Sequence, residues 1–325
     1  MRGMGFARPL FAFCRRPSFF LSHFDRKNSL TGKEEIPVPK RLKIVEKTME
    51  DLVEQAKMGD KDVLEEIVRR IQDKIYGMAI RMLFIPADAE DATQEILVKI
   101  ITHLGTFRGE SRFETWVYSI ASNHLLTTRK CRADQWHMTF DKCVHAIEEV
   151  ELEKNEHALI EAEQSLIVEE TRLACVHYLL LCLKRELRLA VVLGEIFGVR
   201  STEGAKILGI TPAAYRQRLS RGKKKLMDFL TRQCGLVDSK NPCRCETLAA
   251  HHVKRKNIDP ENLFFVSHPC RSRRDSRAGE LLKELNQMER AATLIRIHPD
   301  YAAPDVFVES MKGLIDSGRF QLLGR

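Results

Sequence analysis

No uninterrupted apolar run in these 325 residues approaches the ~20 needed to cross a bilayer, so no membrane span is expected. A phosphate-cradling glycine loop, an HExxH pair and a credible Ser/His/Asp set are all missing, so no enzyme is expected and no catalytic residue is assigned. The nine cysteines are too irregularly spaced for a secreted disulfide scaffold, and a reducing cytoplasm is the expected compartment. Acid is missing from one place in particular. Between Thr211 and Arg232 the sole acidic residue is Asp228, although the chain carries 45 Asp and Glu against 53 Lys and Arg. The net charge of +8 and pI near 9.0 favour a polyanionic partner without identifying it.

That acid-poor stretch belongs to the most informative segment, residues 198–230. Ala205, Ile207 and Leu208 supply the apolar face of a short helix, and Gly209 can take the left-handed conformation that ends it. Thr211 then caps a second helix, with Pro212 at its first position. Tyr215, Leu219, Leu226 and Phe229 or Leu230 recur at helical spacing as one buried stripe, from which Arg216, Gln217, Ser220, Lys223 and Lys224 largely fall away. A merely solvated helix would mix Glu with its Lys, whereas a helix-turn-helix with Arg, Gln and Lys in front suits a major groove. Arg216 and Gln217, with Ser220 as a weaker candidate, are the expected base-edge readers; Arg218, Arg221, Lys223 and Lys224 are the expected phosphate contacts.

The length allows two or three domains, and 44% hydrophobic with 30% charged residues suits a soluble helical protein. Residues 1–48 interleave Phe with Arg, but Arg15-Arg16-Pro17 breaks the only short apolar stretch; the segment is expected to be disordered, or translated from too early a start. Residues 49–132 form one helical domain. Asp60 caps a long helix from Leu64 to Met82, Pro86 breaks it, and Asp88 with Asp91 is expected to cap the next, which runs to Gly105. A helix bearing Phe113, Trp116, Val117, Ile120 and Leu125 follows and is expected to end in Arg129, Lys130 and Arg132. Trp116 on its own reads as a core residue, while Tyr118 reads equally as core or as a platform for unpaired bases.

Two helical modules carrying these words in this order resemble the extracytoplasmic-function sigma factors of bacterial RNA polymerase. The resemblance covers about 49–132 and 171–232 and implies an all-α fold. DAEDATQEILVKI is similar to the family's polymerase-clamp-binding helix, which implies that Asp91, Gln94 and Glu95 face core polymerase. FRGESRFETWVYSIASNHLLTTRK is similar to the promoter-melting, minus-ten-reading segment, implying that role for Phe107, Arg112, Trp116, Tyr118 and Asn123. The helix-turn-helix is similar to the minus-thirty-five reader. Promoter DNA and core RNA polymerase are thus the implied partners, with an anti-sigma factor as a further one. This copy departs from the family at Ala92, Ser122 and Arg200, and at Gly204, which replaces an Ile inside the first helix at ~1 kcal/mol relative to Ala plus lost packing.

The linker 133–170 is crowded with Glu148, Glu149, Glu151, Glu153, Glu156, Glu161 and Glu163. It reads as a solvated spacer or an exposed helix or, by the resemblance, as an acidic strap for a basic polymerase channel. Residues 171–194 are expected to form one amphipathic helix supporting the helix-turn-helix at 171–232. The remainder, 233–325, is a small helical extension in which Cys234, Cys243 and Cys245 lie close together, followed by His251 and His252. Zinc, a thiol switch and three unconnected cysteines are all open readings, with no cofactor otherwise required, although C-x-C lacks the usual zinc spacing. The rival functions are a helix-turn-helix regulator acting without polymerase, and a metal- or thiol-sensing regulator. The first has no use for the block Asp88–Leu104; zinc content would decide the second.

Overall fold

The computed structural model describes residues 48–128, 132–152, 164–268, 285–296, 299–304 and 306–316. The extension through residue 47, Arg129, Lys130, the acids Glu153, Glu156, Glu161 and Glu163, the basic loop Arg271–Arg277, and Leu281 and Leu282 lie outside the described residues. Among the described residues there is no strand, and Cys234 and Cys243 form an isolated parallel bridge, so the fold is all-α as the sequence implied.

The first module contains α1 (Met49–Lys57), α2 (Lys61–Leu83), α3 (Pro86–His103) and α4 (Phe113–Thr127). Thr48 and Asp51 form a reciprocal capping box on α1, and Asp60 caps α2 by accepting from the Val63 N–H. Ile67, Val68, Ile71, Ile75 and Met78 bury the α2 face that the periodicity marked. The start of α3 differs from expectation. Ile85 is its N-cap and Pro86 opens the first turn, so the proline begins this helix. Asp88 is buried instead, taking the Arg132 backbone N–H at 3.0 Å and its Nε at 2.6 Å. α4 stops at Thr127, short of the expected basic end, and its last carbonyls, with that of Thr128, accept from the Arg185 guanidinium.

The expected linker is largely built. A 3₁₀ turn (Arg132–Trp136) leads into α5 (Phe140–Leu152), which turns Ile147 and Val150 inward and leaves Glu148 and Glu149 exposed. Of the alternatives, residues 140–152 form a helix, and apolar residues at i and i+3 give α5 a face to bury. The single support helix is also two. α6 (Gln164–Leu181) ends before α7 (Arg185–Val191), because the buried Arg188 turns back to take the carbonyls of Leu180, Leu181 and Leu183. The same guanidinium reaches the Met82 carbonyl of α2, tying the two modules together.

α7 runs into a π-helical turn (Val192–Ile196), then α8 (Ser201–Ile207) and α9 (Pro212–Gln233) form the helix-turn-helix. Beyond it come α10 (Cys245–Lys254), α11 (Gln287–Arg296) and α12 (Val306–Asp316). Glu170 anchors this extension: its carboxylate accepts from the backbone N–H groups of Phe264, Phe265 and Val266 at 2.8–3.1 Å. Burial outweighs those three bonds and leaves its pKa above the ordinary range.

Candidate nucleic-acid interface

The turn before α9 is made as its residues dictate. Gly209 sits at φ +60°, the Ile210 N–H bonds to the Ala205 carbonyl at 3.0 Å, and Thr211 Oγ1 accepts from the Ala214 N–H at 3.2 Å. Arg200 precedes α8 without any side-chain capping bond, as expected where a serine is missing. Tyr215, Leu226 and Leu230 are buried, so the stripe holds. Gly204 is not a packing loss, however. A Cβ there would lie 2.3 Å from Tyr215 Cζ, so the tyrosine ring fills the space that a larger helix residue would take.

This packing turns Arg216, Gln217, Ser220, Arg221 and Lys224 to solvent on one face, together with Lys225, which the sequence reading did not single out. Arg218 is half-buried. Lys223 is engaged otherwise: its Nζ lies 2.9 Å from Glu195 Oε1, while Arg296 of α11 holds Oε2 at 2.7 Å. Burial acts to raise the Glu195 pKa, but the hydrogen bonds from those two cations outweigh it and take it below the ordinary carboxylate range.

The first module presents a second set of candidates. On α3, Asp91 and Glu95 are exposed, and Gln94 donates from Nε2 to Ser310 Oγ at 3.1 Å. Phe107 is buried, edge-on to Phe113 at 5.4 Å and tilted against Trp116 at 5.5 Å, so two of the expected base-stacking rings serve a local aromatic core. Tyr118 stacks on Phe197 at 5.9 Å, and burial raises its phenol pKa. Arg112 pairs with Glu203 of α8 at 2.5 Å, and Thr115 Oγ1 donates to the same carboxylate oxygen at 2.6 Å. Burial acts to raise the Glu203 pKa; the Thr115 and Arg112 hydrogen bonds prevail and lower it. Asn123 alone of the five is exposed without such a covering. The sequence could not show that α8 lies across α4, since the residues involved are 88 and 91 positions apart.

Two family models match this architecture in order: Sigma-70 region 2 over residues 67–135 and Sigma-70, region 4 over 173–226. The chain is 31% identical over 179 residues to the RNA polymerase sigma-H factor of Pseudomonas aeruginosa, covering 54% of this chain and 91% of that one. It is 30% identical over 178 residues to the ECF RNA polymerase sigma-E factor of Escherichia coli, covering 54% and 90%. The chain belongs to the extracytoplasmic-function sigma factors. Similar solved structures are CnrH in complex with the cytosolic domain of CnrY (TM-score 0.40, 22% identity, 55% of this chain and 94% of that one) and RpoE in complex with NepR from Bartonella quintana (TM-score 0.36, 20% identity, 53% and 98%).

Both matches in this sigma factor end before the cysteine cluster. Cys234 and Cys243 do return to one neighbourhood: the Gly235 N–H bonds to the Cys243 carbonyl, and the Cys243 N–H to that of Gln233, each at 3.0 Å. The chain bends at Asn241-Pro242, and Asn241 Nδ2 donates to the carbonyls of Thr231 and Cys234, closing the end of α9. The side chains assemble differently from a zinc site. Cys143, Cys175, Cys234, Cys243 and Cys245 line an apolar cavity of ≈ 90 Å³ beside Phe229. Among the described residues no three His, Cys, Asp or Glu side chains group as a metal ion would need. Burial pushes the Cys243 thiol up to about 12 and raises Cys234, Cys245 and Cys175 as well, outweighing the nearby Arg244 guanidinium. Among the described residues no helix is long and apolar enough to cross a membrane.

Proposed function

We propose that this sigma factor divides its work among three surfaces. The outer residues of α3 (Asp91, Gln94, Glu95) engage core RNA polymerase. α4, with Arg112, Tyr118 and Asn123, handles the minus-ten element and its unpaired strand. The basic face of α9 reads the minus-thirty-five element, with Arg216 and Gln217 at base edges and Arg218, Arg221, Lys224 and Lys225 at phosphates. The observation that carries the last role is the capped α9, seated on Tyr215, Leu226 and Leu230, with Arg216, Gln217, Arg221, Lys224 and Lys225 turned to solvent. Trp116 and Phe107 support α4 from behind.

No chemical step is assigned to the chain's own residues and no cofactor is required. A cytoplasmic location and an anti-sigma protein competing for α3 belong to the same reading, on the family resemblance. The test is run-off transcription by core polymerase on genomic fragments with and without the protein. Discrete start sites that depend on the protein are expected; transcription unchanged by its addition would reject the reading. A regulator acting without polymerase would instead bind a palindromic duplex on its own and leave the run-off pattern unaltered.

A further inference from the structure

The extension beyond the matched regions is gripped by both sigma modules. α11 buries Ala291, Leu294 and Ile295 and packs along α9 while leaving the basic face open. Its last residue, Arg296, holds Glu195 from Nε at 3.0 Å and Nη2 at 2.7 Å. A few residues later the chain is on the first module. Pro299 gives its carbonyl to Arg81 Nη2 at 2.9 Å, and the Ala303 N–H donates to Asp73 Oδ1 at 2.8 Å. The Arg81 guanidinium lies 5.3 Å from the Tyr301 ring and 5.6 Å from Phe197, the ring on which Tyr118 stacks. A continuous stack thus runs from the extension to a promoter-melting candidate.

α12 completes the grip. Phe307 and Met311 are buried, with Phe307 6.5 Å from the Tyr76 ring of α2. Lys312 lies 3.5 Å from Glu65, and Ser310 occupies Gln94 of the polymerase-facing helix.

We propose that α11 and α12 form an intramolecular clasp. It holds the two modules against each other and covers one edge of α3, so that the chain's own tail and core polymerase compete for that surface. The competition rests on the proposed function of α3; the hold on the modules rests on the contacts alone. Polymerase binds the open form, so its apparent affinity is lowered by the closed fraction, and by reciprocity polymerase loosens the clasp. The ion pairs at the rim are part-exposed and modest, whereas the buried Phe307 and Met311 provide most of the hold.

The test compares the full chain with Met311→Asp, which places a charge beneath α12, and Arg296→Glu, which sets like charge against Glu195. Core-polymerase affinity and hydrogen exchange along α4 and α8 are read for each. Tighter core binding is expected, about tenfold for Met311→Asp and about two- to threefold for Arg296→Glu, with faster exchange along the α4–α8 contact in both. Core added to the parent protein should quicken exchange in α12. Affinity and α4–α8 exchange both unchanged in the two variants would overturn the clasp. If the contact opens but no form binds core, the role of α3 fails while the hold on the modules stands. Should Met311→Asp unfold the whole chain, Arg296→Glu decides by the same readouts.

Discussion

Single residues in this sigma factor are matched to one another between neighbouring helices. Gly204 and Tyr215 are one such pair. Alanine at 204 would meet the tyrosine ring at its Cζ, Cε2 and hydroxyl, so Gly204→Ala should destabilise the protein by about 1–3 kcal/mol despite alanine's better helix propensity. Tyr215→Leu should remove most of that penalty. Urea denaturation of both singles and the double measures the coupling, and additive effects would mean that the ring moves aside freely. His252 makes a pH-dependent prediction. It is buried, and burial first, then His251 and Arg255, lower its pKa to about 3. The unfolded chain takes a proton there near pH 6.5, the folded one only near 3, so stability falls as pH drops through that window. The loss at pH 5 is on the order of 2 kcal/mol. His252→Gln should flatten the pH dependence of the urea midpoint between 6.5 and 4.

At the scale of elements, α9 was legible and much around it was not. A threonine cap, a proline at the first turn and an apolar stripe are local signals, and each forms as its residue type dictates. Asp88, Arg81, Arg188 and Glu170 carry no local signal of where they bond, and Asp88 reads as a cap. Their distant partners lie 44, 218, 106 and 94 to 96 positions away, and an isolated charge in sequence reads as a surface or capping residue. The candidate site divides likewise: the outward face of α9 follows from periodicity, but the covering of Tyr118 by Phe197 depends on how two modules dock. Glu170→Ala should therefore act well beyond its own helix. Three N–H groups would lose their acceptor, two of them in buried residues, for about 3 kcal/mol or more, with limited proteolysis cutting sooner after residue 263. On α9 itself, Lys224→Ala should weaken binding to all promoter sequences alike and lower the salt slope by about one. Lys223→Ala should change the slope less, because Glu195 already holds that ammonium. Arg216→Ala should instead cost ~1–3 kcal/mol at one promoter position, read by substituting each base pair in turn.

The whole molecule is arranged more tightly than its proposed task allows. Two elements about 25 base pairs apart, as the minus-ten and minus-thirty-five names imply, are separated by ~85 Å of duplex at ~3.4 Å per pair. Here α4 and α8 touch, with Thr115 Oγ1 2.6 Å from Glu203. The modules must therefore part on a promoter, and the chain between Thr127 and Gln164 sets how far. With α5 still docked beside α10, the free tether is the stretch to Phe140, at most ~45 Å when extended. With α5 released as well, helix and flanking chain together reach ~100 Å. Only the longer tether exceeds the required span, so α5 is expected to leave its seat when holoenzyme binds a promoter. Cys143 reports on that step. In the closed form its Sγ lies 3.6 Å from Cys182 Sγ, and that contact first, then burial, keeps the thiol protonated and slow to alkylate. On promoter-bound holoenzyme, iodoacetamide should modify Cys143 at least about tenfold faster, as followed by peptide mass spectrometry. Equal Cys143 rates in the free and promoter-bound protein would show that α5 remains docked, and the span would then have to come from bending of the DNA.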